Sequence, residues 1–320
     1  MIRIGLVSNP HSQRNRRGLD DLHAASAGVP DLLHREVEGE GEGSLATILG
    51  EFAAREIGLL VVNGGDGTVQ RTLTELLERR SFERLPLVAI LPRGMANMTA
   101  SDVGLRGRST ASFRRLLERA RTGNIGQSVV RRRILRVENI RGLPPQRCLF
   151  FGAAAIYDAI ELCCRKVYSR GLKGNLGMGL TLGGLLLSSL LGRFDGALRA
   201  HEVAVAIDAQ PAVQAKRLLI LATTLERLIL GSRPFWNQSD GTIRFTSIAH
   251  PPLHLIRSAP KVLYGWRRAT LSEDHYASCG AERIALRLDG AFTLDGEFFE
   301  PMPDQPILLT ARDELSFVRL

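Results

Sequence analysis

Ile57-Gly-Leu-Leu-Val-Val-Asn-Gly-Gly-Asp-Gly-Thr68 is the stretch of sequence that decides the fold of this 320-residue chain. Residues Leu59 to Val62 are apolar and rich in branched side chains, which predicts a buried parallel strand. After the glycines, apolar residues recur with the period of one helix face: Val69, Leu73, Leu76 and Leu77. The glycine-rich turn is therefore predicted to lie between a buried strand and the N-terminus of a helix.

This turn has the composition of a site for a metal-bound nucleotide. Gly64, Gly65 and Gly67 lack Cβ atoms, so the chain can turn sharply and point its N–H groups at an anion. The helix dipole favours negative charge at the same place. A divalent cation would bridge the acidic Asp66 to phosphate. The structural alternative is a plain strand-to-helix turn with this composition for backbone reasons alone.

Two other nucleotide-binding motifs are excluded. No G-x-G-x-x-G dinucleotide fingerprint follows the strand, and no Gly-Lys-Ser/Thr of a Walker A loop is present. The seven histidines have no metal-ligand spacing, so we expect no zinc site.

Composition predicts a globular protein with an anionic partner. An apolar fraction of 44% and a charged fraction of 23% are ordinary values, and 320 residues can form two cores. The net charge of +9 favours a phosphorylated substrate, an anionic membrane or nucleic acid. The basic clusters are short and have no interleaved aromatic residues. We therefore expect peripheral contact with an anionic membrane and no nucleic-acid partner.

Other features indicate a reduced, cytoplasmic setting. The cysteines form no C-x-x-C pair, and the N-terminus alternates like a strand instead of resembling a signal peptide. The apolar run Leu172 to Leu191 is short and is interrupted by five glycines, so a transmembrane helix is not expected. Two interpretations stay open for this run: a core helix, or a wall that faces lipid or rests on a membrane.

Alternating strands and helices predict a doubly wound α/β nucleotide-binding domain over residues 1–128. The first strand ends at Asn9-Pro-His-Ser12, at the edge where open sheets bind ligands. Asn9 and Ser12 could reach phosphate or ribose there, or form a local Asx or Ser turn. Another buried strand, Leu87 to Leu91, ends in a second glycine-containing loop, Pro92 to Met98.

Residues 129–301 are predicted to form a mainly antiparallel, sandwich-like β domain, because short strands recur there, among them Arg147 to Phe151. Near its end, Leu288 to Glu297 contains two Asp-Gly turns, a dipeptide that suits hairpins for geometric reasons. Asp295 and Glu297 place two carboxylates in one turn. They could bind a metal or take a proton.

Four motifs occur in one order and spacing: Asn9-Pro-x-Ser12, Gly64-Gly-Asp-Gly-Thr68, Leu91-Pro-Arg-Gly-x-Ala-Asn97 and Asp295-Gly-Glu297. With these motifs the chain resembles the diacylglycerol kinase catalytic family, which includes bacterial lipid kinases and the sphingosine and ceramide kinases. The resemblance extends over nearly the whole chain. It implies a two-domain fold in which the C-terminal segment, about residues 302–320, returns to the first domain.

The resemblance also implies roles for individual residues. The nucleotide would contact residues of the first three motifs: Asn9, Ser12, Gly64, Gly65, Gly67, Thr68, Gly94 and Asn97. Asp66 and Glu297 would hold Mg²⁺. Either Asp66 or Asp295 would be the catalytic base, with Glu297 in support. The chain departs from the family pattern at Arg71 (usually Glu), Met95 (usually Thr or Ser) and Met98 (often Asp).

We therefore predict an ATP-dependent lipid kinase that acts at the inner membrane surface. Its acceptor would be a hydroxyl group of a lipid such as diacylglycerol, ceramide or a sphingoid base. An NAD-kinase-like enzyme is one alternative, because such enzymes share a Gly-Gly-Asp-Gly loop. A non-catalytic pseudokinase is another, supported by Arg71 and Met95. The sequence leaves the acceptor and a homodimeric state open.

Overall fold

The computed structural model describes residues 2–39, 41–107, 109–158, 160–161, 200–236, 240–264 and 271–320. The apolar run Leu172 to Leu191 lies outside the described residues. The chain divides into two compact units. Unit 1 comprises Met1–Arg132 and Asp313–Leu320, and unit 2 comprises Arg133–Arg312. No helix of the described ranges is both long enough and apolar enough to span a bilayer.

Unit 1 is a doubly wound α/β fold, which confirms the predicted fold class. Its strands are β1 (Ile4–Ser8), β2 (Leu32–Glu36), β3 (Leu59–Gly64), β4 (Leu87–Pro92) and the end of β15 (Ile307–Val318). They pair in parallel in the order β15-β4-β3-β1-β2. The helices are α1 (Asp20–Ser26), α2 (Leu45–Ala54), α3 (Asp66–Arg79), α4 (Met98–Val103) and α5 (Ser109–Arg121).

The apolar pattern of the opening stretch accounts for the core of unit 1. Every residue of β3 is buried, as a strand covered on both faces by helices must be. The predicted helix face of α3 is buried as well: Val69, Leu73, Leu76 and Leu77. Ser8 pairs with Asn63, and Asn63 pairs with Leu91. The carboxyl ends of β1, β3 and β4 therefore meet at one edge of the sheet.

The C-terminal segment completes this sheet. Phe317 pairs with Val88 in parallel, and Phe317 and Val318 have no exposed surface. The N–H of Arg106 donates to the carbonyl of Leu320 at 2.7 Å. The last residues of the chain are therefore part of the core and hydrogen bonding of unit 1.

Unit 2 is built from antiparallel strands, again as predicted. They are β5 (Val129–Glu138, which begins in unit 1), β6 (Gln146–Cys148), β7 (Phe150–Ala154), β8 (His201–Ile207), β9 (Val213–Thr223), β10 (Ile243–Ala249), β11 (Tyr276–Ala281), β12 (Arg283–Leu288), β13 (Phe292–Leu294) and β14 (Glu297–Phe299). Strand β9 pairs with β7, β8 and β10. The helix α6 (Leu255–Tyr264) packs on a small separate core.

One predicted strand of unit 2 is divided in the structure. Residues Arg147 to Phe151 read as a single strand, but β6 ends at Cys148 and β7 begins at Phe150. The N–H groups of Leu149 and Phe150 donate to the carboxylate of Asp295. This side chain thus occupies two donors that would otherwise be available to a strand ladder.

Candidate active site

The two glycine loops of unit 1 touch each other at the carboxyl edge of its sheet. A Cβ on Gly94 would lie 2.5 Å from the Cα of Gly65, and a Cβ on Gly65 would lie 3.0 Å from the Cα of Gly94. A Cβ on Gly64 would meet the Thr68 side chain at 2.5 Å. Gly65 has an ordinary negative φ of −87°, so the requirement for glycine here comes from close packing.

The loop after β1 is tied to the glycine loop after β3. The Nδ2 of Asn9 donates to Thr68 Oγ1 at 2.9 Å, and the Ser12 hydroxyl lies 3.4 Å from the same oxygen. The N–H of Gly65 donates to Ser12 Oγ at 3.3 Å. Asn9 also forms a local turn, because its Oδ1 accepts the N–H of His11 at 2.9 Å. The structure therefore brings Asn9, Ser12 and Thr68 together.

Asn97 fixes the second glycine loop from within. Its Oδ1 accepts the N–H of Gly94 at 2.7 Å, and its Nδ2 donates to the carbonyl of Gly94 at 2.8 Å. The backbone of Asn97 is left-handed, with φ of +49°, a conformation that Asn tolerates better than most residues. These bonds hold Gly94 in position against Gly65.

Asp66 is the first residue of α3, and its carboxylate accepts hydrogen bonds from the start of α4. The N–H of Thr99 donates to Oδ1 at 3.1 Å, and the N–H of Met98 donates to Oδ2 at 3.2 Å. Burial raises the pKa of Asp66, while hydrogen bonds from the backbone of Thr99, Met98 and Asn97 act in the opposite direction. The half-buried carboxylate is thus held in one orientation beside the glycine loop.

Two arginines add positive charge at this edge. The N–H of Arg93 donates to the carbonyl of Gly64 at 3.1 Å, and the N–H of Arg14 donates to the carbonyl of Arg93 at 3.1 Å. The Nε of Arg93 is buried and has no hydrogen-bond partner in the part of the chain that the structure describes. Burial first, and the charge of Arg14 second, lower the pKa of Arg93, whereas Asp21 raises it. A bound anion would supply the missing partner of Arg93.

Three further residues of the site were not predicted from the sequence: Arg93, Asn15 and Asn63. Asn15 donates from Nδ2 to the carbonyls of Asn9, at 2.7 Å, and Asn63, at 3.2 Å. Asn63 in turn donates to Ser8 Oγ at 2.9 Å. The available signals were the position of Arg93 inside the third motif and a polar Asn63 that ends an apolar strand.

Asp295 lies in unit 2, in a two-residue hairpin loop between β13 and β14. Its φ is +48° and that of Gly296 is +93°, as a tight hairpin turn requires. The carboxylate is buried: Oδ1 accepts the N–H of Phe150 at 2.9 Å, and Oδ2 accepts that of Leu149 at 3.0 Å. Glu297 begins β14 and its side chain is exposed. The turn thus orients one carboxylate inward and leaves the other in solvent.

The donor set of unit 1 suits a nucleotide with one carboxylate available for Mg²⁺. No group of three or more His, Cys, Asp or Glu side chains that could bind a metal occurs among the described residues. Mg²⁺ at nucleotides commonly takes one or two carboxylates and completes its shell with phosphate oxygens and water. Asp66, next to the glycine loop, meets that requirement.

Comparison with known proteins confirms the resemblance for the N-terminal part of the chain. Residues 3–128 match the model of the diacylglycerol kinase catalytic domain. A curated relative described as "Probable lipid kinase YegS-like", from Enterobacter sp. (strain 638), is 35% identical over 74 residues. That match covers 23% of this chain and 24% of the relative, so the chain spans about a quarter of the relative's length.

Solved structures share the fold. A diacylglycerol kinase from Bacillus anthracis str. Sterne has a TM-score of 0.61 at 17% identity, covering 99% of this chain and 96% of that chain. Yeast NADH kinase complexed with NADH has a TM-score of 0.51 at 8% identity, covering 100% of this chain and 84% of that chain. Because both kinases have this fold, the fold by itself does not select the acceptor.

Proposed function

We propose that the protein is an ATP-dependent lipid kinase, which transfers a phosphoryl group to a hydroxyl of a lipid such as diacylglycerol, ceramide or a sphingoid base. The observation that carries this proposal is the pair of touching glycine loops beside the buried Nε of Arg93, which has no hydrogen-bond partner among the described residues. Backbone amides and a guanidinium at a helix N-terminus are the groups that bind a polyphosphate. The match to a diacylglycerol kinase catalytic domain supports the reaction class.

Unit 1 would bind the nucleotide. The triphosphate would lie over Gly64, Gly65 and Gly67 at the N-terminus of α3. The first backbone N–H groups of a helix have no partner within the helix. Arg93 and Arg14 would contact phosphate oxygens. The two loops would be positioned by the hydrogen bonds described above, which involve Asn9, Ser12, Thr68, Gly94 and Asn97.

Asp66 would hold Mg²⁺ or a water molecule bound to it. Bound Mg²⁺ supplies charge neutralisation of the transferred phosphoryl group. The two backbone donors of α4 fix the direction of the Asp66 carboxylate, so its orientation does not depend on the ion. Glu297 remains the second proposed ligand.

Asp295 would accept the proton of the acceptor hydroxyl, with Asp66 as the alternative base. A general base must be held in one orientation within reach of the proton that it takes. The backbone bonds from Leu149 and Phe150 provide that orientation for Asp295. Unit 2 would then supply both the base and the surface that binds the lipid.

The alternatives remain an NAD-kinase-like enzyme and a pseudokinase. Arg71 is exposed on α3 and its Nε donates to the carbonyl of Gly67 at 3.4 Å. Arg71 therefore places a cation beside the glycine loop, where the family usually has Glu. This cation is compatible with phosphate binding in a lipid kinase, an NAD-kinase-like enzyme and a pseudokinase. The proposal also includes a cytoplasmic location and peripheral contact with an anionic inner membrane surface. It is compatible with a monomer or a homodimer.

Incubation with Mg-ATP and a total lipid extract, followed by mass spectrometry, tests the reaction. We expect new lipid phosphomonoesters from the native protein, and a loss of at least about a hundredfold in Asp66→Ala because an oriented carboxylate is removed from the phosphate site. Glu83→Ala is the control, since Glu83 is an exposed carboxylate of unit 1. Phosphorylation of NAD in place of lipid would support the NAD-kinase alternative. Thermal stabilisation by Mg-ATP without any turnover would indicate a pseudokinase.

A further inference from the structure

We propose that an exposed apolar and basic surface of unit 2 binds anionic membranes directly. The surface, called the α6 face below, consists of Leu230, Leu253, Arg257, Lys261, Leu263 and Tyr264. It is a different part of the chain from Leu172 to Leu191, the run for which the sequence left membrane contact open. The inference rests on the membrane contact that the proposed function includes and assigns it to a surface, and binding to a bilayer requires neither ATP nor phosphoryl transfer.

The apolar residues of the α6 face are not needed for the core. The inner side of α6 places Val262 and Leu255 against Leu218, Ile248 and Tyr276. The outer apolar side chains remain exposed: Leu230 by 66%, Leu253 by 44%, Leu263 by 40% and Tyr264 by 48%. The exposed part of α6 therefore carries two apolar side chains, Leu263 and Tyr264, that the core does not use, beside Arg257 and Lys261.

These residues lie together. Residues three or four positions apart lie on the same side of a helix. One side of α6 and of the turn before it therefore carries Leu253, Arg257, Pro260 and Tyr264. The turn that contains Leu230 adjoins the other end of the helix, because the N–H of Arg233 donates to the carbonyl of Leu263 at 2.7 Å. The segment that contains Leu230 is thus tied to the C-terminal end of α6, where Leu263 and Tyr264 lie.

Scattered exposed apolar residues would be the ordinary situation and would need no explanation. In the described ranges, eight large apolar side chains are clearly exposed, and four of these belong to the α6 face. This concentration on one short helix and one turn indicates a contact surface.

The charges of the α6 face complement an anionic bilayer. Arg257 and Lys261 lie on α6, whose sequence contains no acidic residue. Arg227 and Arg233 flank the turn, where Glu226 is the one acidic residue of residues 225–233. Leu and Tyr side chains with Lys and Arg beside them are the composition of helices that rest in a membrane interface.

A membrane is a better occupant than a second copy of the chain. A symmetric dimer through this face would bring the same cations close to one another, at an electrostatic cost. A bilayer containing anionic lipid offers negative charge to the cations and an apolar layer to the leucines. The lipid acceptor of the proposed function, on which this last argument rests, would be found in such a bilayer.

Vesicle cosedimentation without nucleotide tests the inference. We expect the native protein to bind phosphatidylcholine vesicles that contain phosphatidylglycerol, more at low salt than at high salt, and to bind pure phosphatidylcholine weakly. Leu230→Asn combined with Leu263→Ser should lower binding by about tenfold, since both side chains would enter the interface. Asn suits the left-handed backbone of Leu230, whose φ is +57°. The control combines Leu143→Ser and Val213→Ser, exposed by 47% and 58% elsewhere in unit 2, and should bind normally.

A second variant keeps the test independent of any packing defect. Arg257→Gln combined with Lys261→Gln leaves every apolar side chain in place and should lower binding to anionic vesicles by about tenfold, since each cation near the surface contributes several-fold. Normal binding by both variants would overturn the proposal, as would equal native binding to neutral and anionic vesicles. A native dimer that dissociates on the leucine substitutions would assign the face to a second copy instead. Because no ATP is present, failure here leaves the proposed reaction untouched.

Discussion

Asp66 and Asp295 are the two carboxylates that the proposed reaction needs, and each accepts hydrogen bonds from backbone N–H groups. Such bonds orient a carboxylate without using all of its lone pairs, so catalysis and local structure can depend on the same side chain. Replacement of either residue by Asn would turn one acceptor oxygen into a donor that faces an N–H group. A loss of stability is therefore expected from substitution at both sites, whatever their chemical roles.

Asp295→Asn separates these roles. We expect kcat to fall by about a hundredfold or more if the carboxylate accepts the hydroxyl proton, with little change in ATP affinity. We also expect a loss of about 1–3 kcal/mol in the free energy of unfolding, because a buried N–H of Leu149 or Phe150 loses its acceptor. The left-handed backbone itself accommodates Asn, so the turn should persist. Steady-state kinetics and denaturant unfolding measure the two effects.

Asp289→Asn is the matched control, because it changes the other Asp-Gly turn at an exposed position. It should alter neither kcat nor stability by a measurable amount. An Asp295→Asn protein that is less stable but has native kcat would assign Asp295 to the turn and transfer the role of base to Asp66.

Residues of the site differ in how far the sequence could identify them. The Asn9–Ser12 loop and Thr68 follow strand ends, and the edge rule for open sheets predicts that they lie together. Arg93 and Asn15 act through contacts that no local pattern encodes. The buried Nε of Arg93 and the two carbonyl bonds of Asn15 depend on how three loops meet after folding.

At the scale of elements, the contact between the two glycine loops determines the shape of the proposed phosphate site. Gly94→Ala should therefore weaken ATP binding by at least about tenfold, because its Cβ would lie 2.5 Å from the backbone of Gly65 and the loops must separate. Titration calorimetry with Mg-ATP measures the change. Gly50→Ala is the control, since its Cβ would have no neighbour within 4 Å and Ala favours the helix α2. Equal ATP affinity in the two variants would contradict the assigned site.

The helices and strands could be predicted where the local sequence pattern determines the structure. The apolar run of β3 and the periodic face of α3 are strong signals, and both are confirmed. The helix α6 was not predicted, because Pro260 in its interior removes one hydrogen bond and usually ends a helix. Packing of Leu255 and Val262 on the small core of unit 2 compensates for that loss. Such tertiary stabilisation is invisible to local pattern.

At the scale of the whole molecule, unit 1 is discontinuous in sequence. The sheet that begins with Ile4 is completed by Asp313–Leu320, after all of unit 2 has been synthesised. Contacts between residues so distant in the chain carry a large loop-closure entropy and slow the completion of a fold. The proposed nucleotide site at the edge of this sheet should therefore depend on residues that would contact no nucleotide.

Phe317→Ala tests this dependence. Phe317 has no exposed surface and pairs with Val88, so its truncation should leave a cavity and lower the stability of unit 1 by about 3–5 kcal/mol. Hydrogen exchange followed by mass spectrometry should show lost protection in β4, which pairs with β15, and less loss in β3, which pairs with β4. Phe298→Ala, at a residue exposed by 41% in unit 2, should leave that protection unchanged. If Phe317→Ala left the protection of β4 intact, the C-terminal segment would be dispensable to unit 1. Loss of protection together with weaker ATP binding would show that the nucleotide site depends on the end of the chain.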